Sequence, residues 1–386
     1  MKDYSKDFEL EQGHTWLNAA SEGPIPKVSA RALHQAATWK LSPHRLTIPK
    51  FQQVPLELKK AIATLIHVPA DEVILGNSAT YGLHLLANGL PFKKGDEIIL
   101  MRNDFPTDIL PWLHLKAQGV IVHQLKGKGE VLTPKEVEAA VTPKTKVVCL
   151  PYVHTFSGLG LDIQAIGNIC RRQSILFIVN LSQAVGAFAV DLSKLPVDAA
   201  VCAGYKWLLG PYGTGFCWMK ARVREQLDYP QAYWIALMDE RSLASTGELT
   251  LKADRSARRF DVFGTANFFN YVPWTASIKY LAGIGMDTVW RHNQDLVGQI
   301  IEGLDKQFKL LSSANKNECT NIVVFSHQDS VQNTKVYEYL KAQGFYAALW
   351  KNKLRIAPHI YNTRKDIKRL LAALKKLLQS SKIKSQ

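Results

Sequence analysis

The sequence predicts an α/β protein, with a large unit built on a mostly parallel, doubly wound sheet and a smaller α/β unit after it. Three observations lead there. Apolar, β-branched runs alternate with helical patterns over the first two thirds of the chain. Most of these runs are nearly continuous in apolar character, as strands covered on both faces require. From about residue 270 the texture changes to long helical patterns broken by two short strands. We place the large unit at residues 20–268 and the smaller one at residues 269–386, joined by the N-terminal residues 1–19.

The strands are read in order as EVILGN (72–77), EIILMR (97–102), GVIVHQL (119–125), KVVCLPYV (146–153), ILFIVNL (175–181) and AAVCAGY (199–205). Between them, Thr133-Pro134-Lys135-Glu136 combines a capping threonine, a proline at the first helical position and a glutamate three after the cap. That pattern starts a helix over 134–141. Residues 162–173 have helical spacing. In the last third, WTASIKYLAGIG and the segment from Met286 read as helices, NIVVFSH (321–327) as a strand, 330–343 as a helix and KLRIAP (353–358) as a strand. A final helix opens at Thr363 with Asp366 three later.

Composition narrows the function. The chain has 386 residues, about two domains at roughly 100–200 residues each. Hydrophobic residues make up 47% and charged residues 21%, which excludes disordered, collagenous and coiled-coil classes. Lysine and arginine number 48 against 33 acidic residues, a net charge of +15. The basic residues are scattered, apart from Lys375 to Lys384, so a basic enzyme with an anionic ligand is favoured over a nucleic-acid binder. The five cysteines are widely spaced and form no CxxC pair, which reads as reduced packing thiols in a cytoplasmic protein. No apolar run reaches the roughly 18 residues of a membrane span. HExxH, P-loop, GxSxG and GxGxxG patterns are absent from the sequence.

Two segments carry candidate chemistry. Lys206 directly follows a buried strand, and ligands bind at the carboxyl ends of parallel strands. Desolvation there lowers a lysine pKa and yields a usable amine nucleophile. The alternative is a surface lysine beside the turn Gly210–Gly215. Ser78, Ala79 and Thr80 lie between a strand and a helical pattern, where free N–H groups can hold an anion. Plain N-capping by Ser78 or Thr80 is the alternative. His154, after the 146–153 strand, is either an acid–base group or a strand-end histidine bonded to backbone.

At these residues the chain resembles the class V branch of fold-type I pyridoxal-phosphate enzymes, closest to the isopenicillin N epimerase-like and cysteine desulfurase-like group. The resemblance runs from WLNAASEGPIPK (16–27) to LRIAPHIYNTRKDI (354–367), and GYKWLLGPYGTG is its most specific part. It implies that Lys206 forms a Schiff base with pyridoxal 5'-phosphate. It implies that Ser78, Ala79 and Thr80 hold the phosphate, with Tyr205 a further contact. Phe105 would stack on the ring, Gln183 would bond the ring hydroxyl and Thr155 would lie at the same edge. Thr265, after Gly264, would reach the phosphate of a neighbouring subunit, implying a homodimer with shared sites. Arg355 would clamp the substrate carboxylate.

Three departures from the family pattern stand out. Asn180 occupies the position of the aspartate that pairs with the pyridine nitrogen, so a weaker electron sink is expected. Asn180→Asp is expected to strengthen any carbanion-dependent step. Ala203 stands where relatives often carry a phosphate-binding serine. The stretch KAQGFYAALWKNKLR (341–355) lacks the cysteine that desulfurases carry before the arginine, and on this ground cysteine desulfurase is excluded. The expected function is a pyridoxal-phosphate enzyme acting on a small amino acid, aminotransferase-like or isopenicillin N epimerase-like, with no membrane or nucleic-acid partner and no metal. Epimerisation, elimination and transamination stay open. A second reading is a non-catalytic homodimer of the same fold, its cofactor chemistry weakened or lost through Asn180 and Ala203.

Overall fold

The computed structural model describes residues 2–228, 233–238, 248, 256–264, 266–315 and 320–383. Its strands are β1 (Thr15–Trp16), β2 (Val73–Gly76), β3 (Glu97–Met101), β4 (Ile121–Leu125), β5 (Thr145–Pro151), β6 (Leu176–Asn180), β7 (Ala199–Ala203), β8 (Gly215–Met219), β9 (Phe308–Leu310), β10 (Val323–His327), β11 (Phe345–Tyr346), β12 (Ala348–Trp350) and β13 (Lys353–Ile356). The first helices are α1 (Lys27–Leu41), α2 (Ile48–Ile66), α3 (Ala79–Gly89), α4 (Pro106–Leu113), α5 (Pro134–Ala140) and α6 (Ile163–Arg172).

Seven strands form the central sheet in the order β2-β8-β7-β6-β5-β3-β4. The ladder from β4 through β3, β5 and β6 to β7 is parallel, while β8 runs antiparallel to both β7 and β2. Both faces are covered, which is why the strands read as continuous apolar runs. Leu75, Ile99, Val148 and Phe177 pack on one side with α2, α5 and α6; Ile74, Ile98, Val147 and Ile178 pack on the other with α3 and α4. Strand β8 corrects the sequence reading, which carried the turn at 210–215 into the apolar GFCW without a strand. The strand expected over 199–205 also ends earlier, at Ala203.

The last third builds an antiparallel sheet in the order β12-β13-β10-β9. It packs under the helices Met286–Gly303, Asn333–Ala342 and Arg364–Ile383. Both capping pairs read from the sequence form. The Thr133 N–H donates to Glu136 Oε2 at 2.8 Å, and the Thr363 N–H donates to Asp366 Oδ2 at 2.8 Å. Near the N-terminus, β1 pairs in parallel with β11, and Ala357 N–H donates to the Leu17 carbonyl at 2.7 Å. Among the described residues no helix is long and apolar enough to cross a membrane.

Candidate active site

The loops that leave β2, β3, β5, β6 and β7 at their carboxyl ends converge on one cavity. This is where an open parallel sheet binds its ligands. Ser78, Ala79 and Thr80 line it from the start of α3, Phe105 from the turn before α4, and Thr155 from the loop after β5. Asn180 and Gln183 reach it from the end of β6, and Ala203, Tyr205 and Lys206 from the end of β7. These predicted residues therefore meet in one place. Thr265 lies outside the described residues.

Lys206 is not a surface lysine. It is 7% exposed, and its Nζ lies 5.3 Å from the centroid of the Phe105 ring. Burial, with Arg355's charge acting in the same direction, lowers its pKa to about 8. The loop that presents it is fixed from two sides. Gln183 Oε1 accepts from Trp207 Nε1 at 2.7 Å, and Gln183 Nε2 donates to the Ala20 carbonyl at 2.9 Å. Gly186 passes close beneath with φ +92°, and a Cβ there would sit 2.4 Å from the Trp207 carbonyl oxygen. Gln183 thus anchors the lysine loop as well as lining the cavity.

Where α3 starts, the cavity wall is a candidate anion cradle. Ser78 caps α3, its Oγ accepting from Tyr81 N–H at 3.3 Å, while Thr80 Oγ1 and Thr107 Oγ1 share a hydrogen bond of 3.0 Å. Capping and anion binding are compatible, because the first-turn N–H groups of α3 remain available to a ligand. The cradle is drawn tight against β8: a Cβ on Gly215 would lie 2.5 Å from the Ser78 carbonyl carbon. The Tyr205 ring packs 4.7 Å from that of Tyr212, and burial pushes its hydroxyl up to about 12. Beside Ala203, whose N–H donates to Ser182 Oγ at 2.9 Å, Ser182 itself lines the cavity.

Arg355 stands one residue behind the wall. It is 1% exposed; its Nη1 donates to the Thr155 carbonyl at 3.0 Å, and Nη2 donates to Asn18 Oδ1 at 3.1 Å and Ser21 Oγ at 2.7 Å. No carboxylate of the described residues pairs with it, and its Nε has no partner among them. Burial lowers its pKa to about 10. A buried guanidinium without an acid is costly until an anion meets it. The β12–β13 turn closes over the same region: Lys351 Nζ lies 3.9 Å over the Phe156 ring and donates to the Asn103 carbonyl at 3.0 Å, and Trp350 packs 5.8 Å from Phe156. His154 is not among the lining residues. Its Nδ1 pairs with Ser157 Oγ at 2.8 Å, and burial lowers its pKa.

Sequence reading missed two acids. Asp108, on the first turn of α4, lines the cavity and accepts a 2.7 Å hydrogen bond from Asn180 Nδ2 at its Oδ1. Asp104 lies beside it, its Oδ1 accepting from Phe105 N–H at 2.7 Å and its Oδ2 buried without a partner among the described residues. Burial and the like charge of Asp108 push Asp104 well above the carboxylate range. Burial raises Asp108 to about 7, opposed by the Asn180 hydrogen bond and the Lys206 charge. The local signal was an Asp-x-x-x-Asp spacing around Phe105 in NDFPTDILPW.

A family model described as aminotransferase class V matches residues 16–370. A probable cysteine desulfurase of Methanothermobacter thermautotrophicus is 26% identical over 78% of this chain and 74% of its own length. An isopenicillin N epimerase of Amycolatopsis lactamdurans is 23% identical over 96% and 97% of the two chains. Among solved structures, a cysteine desulfurase from Thermococcus onnurineus superposes with a TM-score of 0.87 at 21% identity, covering 98% and 99%. The cystine C–S lyase C-DES, in complex with its product cysteine persulfide, superposes with a TM-score of 0.85 at 21% identity, covering 94% and 97%.

The exclusion of cysteine desulfurase is corrected by these relatives, several of which carry that name. The missing loop thiol concerns the group that receives sulfur. It says nothing against groups that would prepare a carbon–sulfur bond for cleavage. With its mixed, mostly parallel sheet, the lysine at the carboxyl end of β7 and a match spanning nearly its whole length, the chain belongs to the aminotransferase class V family of fold-type I pyridoxal-phosphate-dependent enzymes.

Proposed function

We propose that this chain cleaves the carbon–sulfur bond of a small sulfur-bearing amino acid, cysteine or its disulfide, with pyridoxal phosphate attached at Lys206. One observation carries the reading: a buried lysine with a lowered pKa faces an aromatic plate, with a hydroxyl-rich helix start in the same cavity. The donor set fits the cofactor. The α3 N-terminus with Ser78 and Thr80 suits a phosphate, Phe105 a flat ring, and Lys206 an aldehyde carbon. Bound pyridoxal phosphate supplies the electron sink that lets an amino acid lose its α-proton. Lys206, once displaced by the incoming amine, is the base that takes that proton and the acid that returns one. Arg355 meets the substrate carboxylate, the anion its buried charge lacks. Phe156, packed against Phe105 and Trp350, offers soft surface to sulfur beside the site. The names of the relatives support sulfur chemistry; the C–S lyase neighbour's reaction product is cysteine persulfide. The reading includes a homodimer in which residues 264–265 reach the other subunit's phosphate site.

The test is direct. Pyridoxal phosphate added to the pure protein is expected to give a visible band that borohydride removes, with the adduct mapped to Lys206. The loaded protein is then given cysteine or cystine. Sulfur release with alanine marks desulfuration, and release with pyruvate and ammonia marks elimination. Adduct formation without sulfur release from either substrate refutes the proposed reaction; no adduct refutes the cofactor site.

A further inference from the structure

The end of the cavity at β6 poses a problem that the sequence alone left open. Family members place an aspartate where Asn180 stands, and a neutral amide cannot balance a protonated pyridine nitrogen. The structure shows both ends of that amide committed. Asn180 Oδ1 accepts from Ser182 N–H at 2.9 Å, and Nδ2 donates to Asp108 Oδ1 at 2.7 Å. The position where the family pattern has a carboxylate is therefore turned toward another carboxylate, supplied by α4.

We propose that Asp108 is the acid that pairs with the pyridine nitrogen of pyridoxal phosphate in this chain, with Asn180 as the positioning residue that holds it at the cavity. The inference rests on the cofactor reading above and adds a residue to it. Three observations carry it. Asp108 lines the cavity although it is only 2% exposed. No lysine, arginine or histidine of the described residues lies within ion-pair distance of it. A buried carboxylate with no cation beside it is costly, and a pyridinium is the cation that would complete it. Finally, Asp104 sits beside it with a buried oxygen that has no partner among the described residues, and two like acids this close favour one shared proton. Burial and like charge lift Asp104 further, so Asp104 keeps that proton and Asp108 is the ionised member. The first turn of α4 favours a negative side chain at the same place. The other groups facing Asp108 are Lys206, across the cavity, and the Cys149 thiol, which burial keeps protonated.

The experiment loads the whole protein with pyridoxal phosphate labelled with nitrogen-15 in the ring and reads the nitrogen shift by NMR. The parent is expected to show a pyridinium, Asp108→Asn an unprotonated pyridine, and the exchanged pair Asp108→Asn/Asn180→Asp a pyridinium again. Asp108→Asn should also bind the cofactor roughly tenfold to hundredfold more weakly, the range expected for one charge-assisted hydrogen bond. An unprotonated nitrogen in the parent overturns the proposal, as does a pyridinium that survives Asp108→Asn. Should Asp108→Asn not fold, Asp108→Ala is read in its place, with the same two outcomes. Failure of the cofactor reading would show separately, as a missing borohydride adduct on Lys206. An adduct whose nitrogen is unprotonated removes only the role of Asp108.

Discussion

Asn180→Asp is the informative perturbation, because the sequence expects it to strengthen activity while the structure expects it to weaken the fold. The sequence expects a gain, since it restores the family's aspartate. In the structure the new carboxylate would face Asp108 across the present 2.7 Å contact. A donor becomes an acceptor, and a hydrogen bond to a charged group is lost, a cost of roughly 1.5–3 kcal/mol. Two unit charges about 4 Å apart at an effective dielectric near 20 repel by about 4 kcal/mol. The pair escapes part of this by retaining a proton, so the net loss of stability above neutral pH is on the order of 2–4 kcal/mol. The pH dependence follows from the proton count. The folded variant holds a proton that the unfolded chain, with aspartates near pH 3.9, has released. Stability therefore falls as pH rises from about 4 towards the folded pKa, and the deficit is smaller at pH 5 than at pH 8. Urea unfolding of the cofactor-free protein at the two pH values measures it. Adding Asp108→Asn should return most of the loss. An Asn180→Asp variant as stable as the parent at pH 8, or a double variant no better than the single one, would refute the opposed-carboxylate account.

Other outcomes follow from the same geometry. Lys206→Ala should remove the borohydride adduct while the protein unfolds at an unchanged or higher urea concentration, since it deletes a buried cation. Gly215→Ala should push a Cβ into the Ser78 backbone; a stability loss of about 1–3 kcal/mol, with weaker cofactor binding, is expected by urea titration and cofactor titration. Arg355→Lys should raise the KM for the amino-acid substrate by roughly tenfold or more while the Lys206 adduct still forms, because the planar fork is lost and cofactor contacts are not. Cys319→Ser should leave sulfur release at the parent rate when excess dithiothreitol is present, read as sulfide; a loss that the added thiol does not restore would put the sulfur acceptor on this chain.

The sheet was legible because its chemistry is local. ILFIVNL and EIILMR alternate nothing, and a strand that alternates nothing must be covered twice, as Phe177 and Ile178 on opposite faces show. The two capping pairs were legible for the same reason, since all their atoms lie within four residues. Strand β8 was harder. Its GFCWM run is apolar, but nothing in it states that it runs against β2 and β7. Ser78 and Lys206 were readable as a helix start and a strand end; that both line one cavity depends on strand order, which no local pattern carries. Asp108 shows the limit most clearly. On its own it is an acidic residue in the first turn of a helix, and it gains meaning only from Asn180, 72 residues away in sequence and 2.7 Å away in space.

The sequence departures thus have unequal weight once the atoms are placed. Asn180 changes the identity of one residue without emptying the site of acid, because α4 carries a carboxylate to the same amide. The weakened sink inferred from the sequence assumed that the charge partner must come from β6; a cavity walled by several loops can draw it from another. The absent loop thiol works differently. Cys149, Cys170, Cys202 and Cys217 are buried, and burial raises each of them, Cys170 to about 12, so none supplies a thiolate at neutral pH. What the 341–355 stretch offers instead is Trp350 and Lys351 packed on Phe156, an aromatic and cationic cover rather than a nucleophile. Such a cover suits the proposed reaction with the thiol that takes sulfur arriving with the substrate or from solution, rather than from this stretch of the chain.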